Sequence, residues 1–394
     1  MINHWLTDFR PWLLVLILQV PSFRAIFKYS PYPVVSASLV ALLSFFAYAL
    51  LFQNKRVKKA VTDFSDSYAL TFSLLFIFAL ANYLIYPLAD ARKLVGSGST
   101  ADDAMIESAK AFLAGGNFYD AHLWAGVPIS PGPGWLLLNI PFTGTGLYFF
   151  MTPFYVGLTA IIFMKVVGDK IGANLVLLSL ASSLIFWELM VTGHDIVAIG
   201  CIIITILLLI EKLSHRINRK QSLLFVTGIS FLIGAVATSR VIFIILPPLI
   251  GALVWKRDRY LAGAVAIVGL LIATLLHFLF YTTNEPYQPF HLFERAEVNL
   301  QIPLIVIGGI VSALVALFVI VKVRSDFSSW LFWFAFSFSM PLIFISFGEF
   351  KKVEYNFAKW EGANYLFPVV PSILVYIFNG FSGKKQISGI DKRP

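Results

Sequence analysis

Apolar stretches long enough to cross a membrane recur along the whole 394-residue chain and restrict what it can fold into. A membrane-spanning helix needs about 20 mainly apolar residues to cross the hydrocarbon layer. We count about 12 such stretches, at approximate positions 12–27, 34–52, 68–88, 146–166, 173–191, 195–211, 222–238, 241–255, 260–281, 302–321, 329–347 and 364–381. The sequence therefore predicts an all-α, polytopic membrane protein.

The composition supports this prediction. Hydrophobic residues make up 58% of the chain and charged residues only 13%, whereas soluble domains carry about 25% charged residues. The single cysteine, Cys201, lies inside an apolar stretch, so no intrachain disulfide can form. Residues 12–27 lack the small-residue cleavage site of a signal peptide and are interpreted as the first membrane helix.

The basic residues predict the orientation. With the N-terminus inside, 20 of the 30 Lys and Arg residues fall on cytoplasmic segments, and 13 of the 21 acidic residues fall outside. This is the positive-inside pattern of membrane proteins, so the net charge of +9 needs no nucleic-acid partner. We expect an integral, multi-pass protein with both termini cytoplasmic, in a prokaryotic cell membrane, with its active site facing outward.

We expect one transmembrane domain over residues 1–394, with its chemistry on outer loops. Residues 89–145 form the longest polar interruption and are predicted to be the catalytic loop with a surface helix. Residues 282–301 and 348–363 are predicted to be further outer loops. The apolar segment at 135–140 is too short to span and predicts a re-entrant or interfacial piece.

Two adjacent carboxylates, Asp102 and Asp103, begin the predicted surface helix. Acids at this position suit the helix dipole, and Thr100 with Asp103 fits the spacing of a capping box. At 100° per residue, Asp103 shares a polar face with Glu107 and Lys110, while Asp102 falls on the apolar side. We therefore expect Asp102 to be partly desolvated with a raised pKa, as a general base requires, and Asp103 to stay in water.

Further loop signals follow this helix in a fixed order. A Gly-Gly pair ending in Gly116 predicts the helix stop, and the adjacent pair Tyr119 and Asp120 comes next. A Pro- and Gly-rich run from Pro131 to Pro133 then predicts an extended, turn-rich path. It leads into the leucine-rich segment 136–141.

The order of these residues resembles the first outer loop of the GT-C superfamily, integral-membrane glycosyltransferases that use polyprenyl-phosphate-linked sugars. The segment 364–371, NYLFPVVP, is similar to the start of a late helix in many of these enzymes. The pattern looks most like the branch that uses polyprenol-phosphate-mannose. Two features depart from it: Asn364 stands where members often carry a cation before the late Tyr365, and the Pro/Gly run is richer in glycine.

The resemblance implies an inverting sugar transfer, possibly of mannose, from a polyprenyl-phosphate donor. An outward carboxylate would deprotonate the acceptor hydroxyl, with Asp102 as the candidate base and Asp103 beside it. The acceptor could be a glycan, a lipid or a protein, and membrane lipid would surround the polyprenyl tail. Tyr119, Asp120 and Tyr365 are candidate substrate-binding residues on the same ground.

The leaving phosphate needs positive charge or N–H donors at its oxygens. Arg240 is the best candidate because it sits at an outer turn between apolar stretches, although it could instead pair with a nearby acid. Arg295 is a second candidate, with acidic neighbours in sequence.

His194 and Asp195 open the sixth stretch, where Asp195 could cap the helix or both could line the cleft. No set of residues at metal-ligand spacing is evident, so we predict no cofactor; a divalent metal at His194 and Asp195 is the weaker alternative to a contact with a sugar hydroxyl.

Two other classes of protein remain open. A secondary transporter also has about 12 helices but usually carries ionisable residues near the middle of the membrane. Here the acids concentrate on the predicted outer face. A lipid-linked polysaccharide polymerase or ligase would share the donor chemistry, and we would expect it to carry a long outer loop rich in Arg and His, which this chain lacks.

Overall fold

The chain is helical throughout the described part, with no strand among those residues. A computed structural model describes residues 10–95, 99–124, 126, 129–213, 219–283, 302–324 and 326–381. The first half contains α1 (Arg10–Tyr29), α2 (Pro33–Gln53), α3 (Lys55–Ser65), α4 (Tyr68–Asp90), α5 (Ala101–Leu113), α6 (Pro133–Thr143), α7 (Tyr148–Val167), α8 (Lys170–Ala181) and α9 (Leu184–Val191).

The described part of the second half of the chain contains seven more helices, and short 3-10 segments occur in both halves. Its helices are α10 (Ile196–Leu213), α11 (Arg219–Ala237), α12 (Leu246–Val254), α13 (Arg259–Thr283), α14 (Ile302–Lys322), α15 (Phe327–Lys352) and α16 (Val370–Phe378). Short 3-10 segments lie at Ala91–Val95, Phe118–Asp120, Val241–Ile245, Phe357–Lys359 and Glu361–Val369.

Seven helices in the described part are long and apolar enough to cross a membrane: α1, α2, α4, α7, α13, α15 and the stretch from Glu361 to Phe378. The count becomes eight if α8 and α9, bent by 77° at their junction, form one span. Each of the 12 predicted stretches overlaps a helix or a bent helix pair. How many of them span a membrane stays a prediction.

The helix α10 is the centre of the packing. Its side chains from Ile196 to Ile210 are almost all buried, as in a helix that is hydrophobic on every side. It packs against α7, α11, α16 and the 3-10 segment Glu361–Val369. Around this centre, α1 packs against α2 and the segment Glu361–Val369, α4 packs against α7 and α8, and α13 packs against α11 and α12.

Local sequence signals explain where the helices near the polar loops begin and end. Ser183 caps α9 by accepting a hydrogen bond from the Phe186 N–H, so the bend between α8 and α9 begins with a satisfied helix end. Gly115 follows α5 with a φ of +89°, the left-handed conformation that ends helices. The short α6 begins with Pro133 in its first turn.

The helix α6 is the piece that the sequence predicts to be too short to span. It has 11 residues and packs against α5, α7, α11 and α13. Trp135 and Asn139 are completely enclosed, and the Asn139 side chain donates to the Trp135 carbonyl and accepts from Tyr155. The helix therefore brings the end of the polar loop into the interior of the bundle.

Candidate functional site

Five side chains converge where α4 ends and α5 begins: Tyr86, Asp90, Lys93, Asp102 and Asp103. We call them the Asp102 cluster. Lys93, in the 3-10 turn after α4, places its Nζ 3.0 Å from Asp102 Oδ2 and 2.6 Å from Asp103 Oδ1, and it also pairs with Asp90. The Tyr86 hydroxyl donates to Asp102 Oδ2 at 2.8 Å. One ammonium group therefore holds three carboxylates together.

Asp102 is the buried carboxylate of the pair, as the helical spacing predicts. Its side chain is 1% exposed, against 16% for Asp103. Burial raises the pKa of Asp102 to about 7; a hydrogen bond with Asp90 also raises it, while Lys93 and Tyr86 act to lower it. A carboxyl group in this range changes its protonation near neutral pH, which suits a general base.

The surroundings of Asp103 and Thr100 differ from the sequence-based expectation. Asp103 does not stay in open water, because Lys93 reaches it from the preceding turn. Glu107 and Lys110, on the same predicted polar face, pair with each other at 2.8 Å. The Thr100 side chain makes no cap hydrogen bond to α5, so the predicted capping box does not form.

The three carboxylates also fit the geometry of a cation site. Asp90, Asp102 and Asp103 each offer an oxygen, and these oxygens lie within 4.8 Å of one another. No local spacing in the sequence indicates this set, because Asp90 lies on the preceding helix, 12 positions before Asp102. Carboxylates are suitable ligands for hard cations such as Mg²⁺ or Mn²⁺. In the present arrangement the Lys93 ammonium supplies positive charge to all three.

The turn between α9 and α10 packs directly on this cluster. Gly193 has a φ of +72°, and a methyl group added there would lie 2.7 Å from Asp102 Cβ and 2.9 Å from Tyr86 Cε2. The Gly193 carbonyl accepts a 2.6 Å hydrogen bond from the Tyr148 hydroxyl at the start of α7. Glycine is thus required here both by its backbone conformation and by the close approach.

Asp195, two residues after Gly193, is the centre of a second set of polar contacts. Its carboxylate accepts from Arg240 Nη2 at 2.7 Å and from Trp135 Nε1 at 2.8 Å, and it is completely buried. Arg240 also donates to the Ser239 carbonyl. Arg240 therefore pairs with a nearby acid, which is one of the two roles that its sequence position allows. The Asp195 side chain contacts Trp135 on α6 as well as Arg240.

His194 lies between Gly193 and Asp195 in the sequence. Burial lowers the pKa of its imidazole, and the charges of Asp195, Arg240, Glu361 and Arg24 act on it. Its Nδ1 is buried and has no hydrogen-bond partner within the described chain. The imidazole is thus neutral at pH 7.

The other predicted site residues have mixed placements. Tyr119 is buried and its hydroxyl donates to the Pro131 carbonyl, while the exposed Asp120 accepts from the Asn117 N–H and closes a tight turn. Tyr365 is 39% exposed in the 3-10 segment that leads into α16. Arg295, with the rest of residues 284–301, lies outside the described residues.

Sequence reasoning missed Tyr86, Asp90 and Lys93. The pair Asp90 and Lys93 is separated by three positions, a spacing at which charges meet on a helix, and this signal was present in the sequence. No local signal indicates that Tyr86 contacts Asp102, because that contact depends on how α5 folds back on α4.

The described part of the chain is a helical bundle whose long apolar helices are compatible with a multi-pass membrane protein, and the Asp102 cluster is an enclosed polar site within it. Comparisons of the chain with protein-family models, with curated protein sequences and with solved structures found no match. The site must therefore be interpreted from its own chemistry.

Proposed function

We propose that the protein is an inverting glycosyltransferase that moves a sugar, with mannose as the candidate, from a polyprenyl-phosphate donor to an acceptor hydroxyl. The observation that carries the proposal is Asp102, a carboxyl group 1% exposed at one end of a bundle of apolar helices. Its pKa, raised by burial to about 7, suits proton transfer at neutral pH. The resemblance to the GT-C superfamily rests on the loop that contains this residue.

In the proposed step the ionised Asp102 takes the proton of the acceptor hydroxyl. The freed oxygen attacks the anomeric carbon from the face opposite the phosphate. A new carbon–oxygen glycosidic bond forms while the bond between that carbon and the phosphate oxygen breaks. The bonding electron pair leaves with polyprenyl phosphate, so the sugar inverts and no external oxidant or reductant is needed.

Positive charge near the leaving phosphate would stabilise the transition state. Arg240 is the proposed contact: it uses Nη1 and Nη2 for Ser239 and Asp195, and a guanidinium has five N–H donors in all. Gly193 packs against Asp102, and Asp195, two residues further on, pairs with Arg240. This short segment supports the proposal that the base and the cation serve one site.

The membrane arrangement completes the proposal. About 12 spans, cytoplasmic termini and an outward-facing Asp102 cluster would place α5 at the outer interface. The polyprenyl tail would then lie among the apolar helices with its phosphate-sugar at the cluster. The excess of Lys and Arg on the opposite segments supports this orientation.

Release of polyprenyl phosphate tests the proposal directly. The full chain in lipid nanodiscs would receive a panel of labelled polyprenyl-phosphate sugars and a mixture of membrane glycan and lipid acceptors. We expect turnover of one donor by the wild type and its loss in Asp102→Asn. If no donor binds to either protein in the same samples, the transferase proposal is wrong and a transporter becomes the better explanation.

A further inference from the structure

A second group of charged side chains lies on the other side of the His194 turn. Arg24 and Lys28 on α1 both bond to Glu188 on α9, at 3.0 Å and 2.9 Å. The Tyr29 hydroxyl donates to the same carboxylate at 3.2 Å, and Arg24 also reaches Glu361 at 3.4 Å. We call these five residues the Arg24 cluster. None of them is used in the proposed chemistry at Asp102.

The hydrogen bonds of this cluster are distributed unevenly. All three donors to Glu188 meet one oxygen, Oε1, and Oε2 is buried without a partner within the described chain. Arg24 Nε is likewise buried and unpartnered. Arg24 is 6% exposed and Glu188 is 8% exposed. Buried polar atoms are nearly always satisfied, so one free acceptor beside one free donor needs an explanation.

The charges of the cluster select the kind of ligand that could supply the missing bonds. Two cationic side chains, Arg24 and Lys28, are balanced by Glu188 and Glu361. An added anion would meet these carboxylates, and an added cation would meet Arg24 and Lys28. A neutral group that both donates and accepts satisfies Oε2 and Nε together. Sugar hydroxyls have this property.

The cluster is open on one side. The Glu361 side chain is 73% exposed and the Lys28 side chain 41% exposed, whereas Arg24 and Glu188 lie at the closed end. Tyr29, at the end of α1, exposes half of its surface while its hydroxyl touches Glu188. An aromatic face beside a hydrogen-bonding group combines apolar and polar contact, which suits a sugar ring with its C–H face and its hydroxyls.

We propose that the Arg24 cluster is a binding subsite for a neutral carbohydrate. Sugar hydroxyls donate to Glu188 Oε2 and accept from Arg24 Nε, and the ring packs against Tyr29. Glu188 lies only five positions before Gly193, whose backbone packs against Asp102, so the subsite adjoins the proposed base. The carbohydrate is therefore assigned as the acceptor; that assignment rests on the proposed function, whereas the binding itself does not.

The test measures binding to the full chain in nanodiscs. The probes are neutral oligosaccharides of mannose, glucose and galactose, two to four units long, detected by saturation-transfer NMR, with inorganic phosphate as an anionic competitor. Tyr29→Ala removes the aromatic face without leaving a buried charge, and Tyr32→Ala, at an exposed tyrosine three residues further on, is its matched control. Glu188→Gln changes the buried acceptor, and its thermal melt reports whether it folds.

We expect at least one oligosaccharide to bind the wild type. Tyr29→Ala and Glu188→Gln should each weaken that binding by about tenfold, a loss of about 1.4 kcal/mol. Tyr32→Ala should leave it unchanged, and phosphate should not compete. The proposal is wrong if no oligosaccharide binds the wild type, if Tyr29→Ala and Tyr32→Ala behave alike, or if phosphate displaces the sugar.

The same samples separate this inference from the proposed function. Tyr29→Ala should raise the KM for acceptor and leave donor binding unchanged. Oligosaccharide binding in samples that bind no polyprenyl-phosphate donor would overturn the transferase proposal and leave the subsite in place. Donor turnover with no effect of Tyr29→Ala on acceptor KM would overturn only the assignment of the bound carbohydrate as the acceptor.

Discussion

The backbone of Gly193 packs against the side chain of Asp102, so close that a methyl group at Gly193 would lie 2.7 Å from Asp102 Cβ. The two residues are 91 positions apart in the chain. The contact fixes the turn before α10 against the first turn of α5. It also brings His194 and Asp195, the next two residues, to the polar end of the bundle that holds Asp102.

This contact makes Gly193→Ala a sharp test of the site. A side chain at a φ of +72° costs about 1–2 kcal/mol of backbone strain, and the added methyl also collides with Asp102 and Tyr86. Gly168→Ala is the matched control, since Gly168 has the same φ with no atom within 4 Å of the added methyl. We expect a larger loss of thermal stability, and of donor turnover, for Gly193→Ala. Equal effects of the two variants would show that the contact does not matter.

The two adjacent acids should differ in their effect on turnover. Asp102→Asn removes the proposed base and should lower turnover by about 10²–10⁴, the usual contribution of such a group. Asp103→Asn leaves the base in place and should cost much less. Release of polyprenyl phosphate measures both, and a thermal melt verifies folding. A larger loss for Asp103→Asn would mean that Asp103, and not Asp102, is the base.

The pH dependence of turnover should report Asp102. The ionised form is active, so turnover should rise with pH through about 7, where the pKa of Asp102 lies. Lys93 acts to lower that pKa and Asp90 acts to raise it. Lys93→Gln should therefore move the rising limb to higher pH, and Asp90→Asn should move it to lower pH. If the rising limb of the pH profile lies at the same pH in the wild type and both variants, a group other than Asp102 controls the pH dependence of turnover.

The pair of Arg240 and Asp195 can be separated into structural and chemical parts. Arg240→Met leaves the buried Asp195 carboxylate with Trp135 alone, and removing one partner of a buried ion pair costs about 3–5 kcal/mol. Adding Asp195→Asn removes the unpaired charge and should recover much of the thermal stability. If Arg240 also contacts the donor phosphate, the double variant stays inactive. Recovery of full turnover would make the role of Arg240 purely structural.

The sequence alone predicts the helices well, because their signal is local. Every predicted apolar stretch overlaps a helix or bent pair, and the 100° spacing correctly placed Asp102 on the buried side of α5. The same reasoning failed for Asp103, whose partner Lys93 lies outside the helix. Helical spacing describes one helix at a time and carries no information about what the neighbouring turn supplies.

The remaining polar contacts depend on tertiary packing. Arg24 and Glu188 are separated by 164 positions, and Arg240 and Asp195 by 45. Each residue by itself is an ordinary charge near the end of an apolar stretch. Only the arrangement of α1, α9 and the turn before α10 around one end of the bundle reveals that these charges meet.

The Asp102 cluster holds three carboxyl groups around one ammonium group. Its net charge is −2 when all three are ionised and −1 when Asp102 carries a proton. A phosphate-bearing donor is repelled more strongly by the first state, yet only that state can accept a proton. Raising the pH should therefore weaken donor affinity while it speeds the chemical step, so the two halves of the catalytic cycle would have opposite pH preferences, and the best working pH would be a compromise set by Lys93.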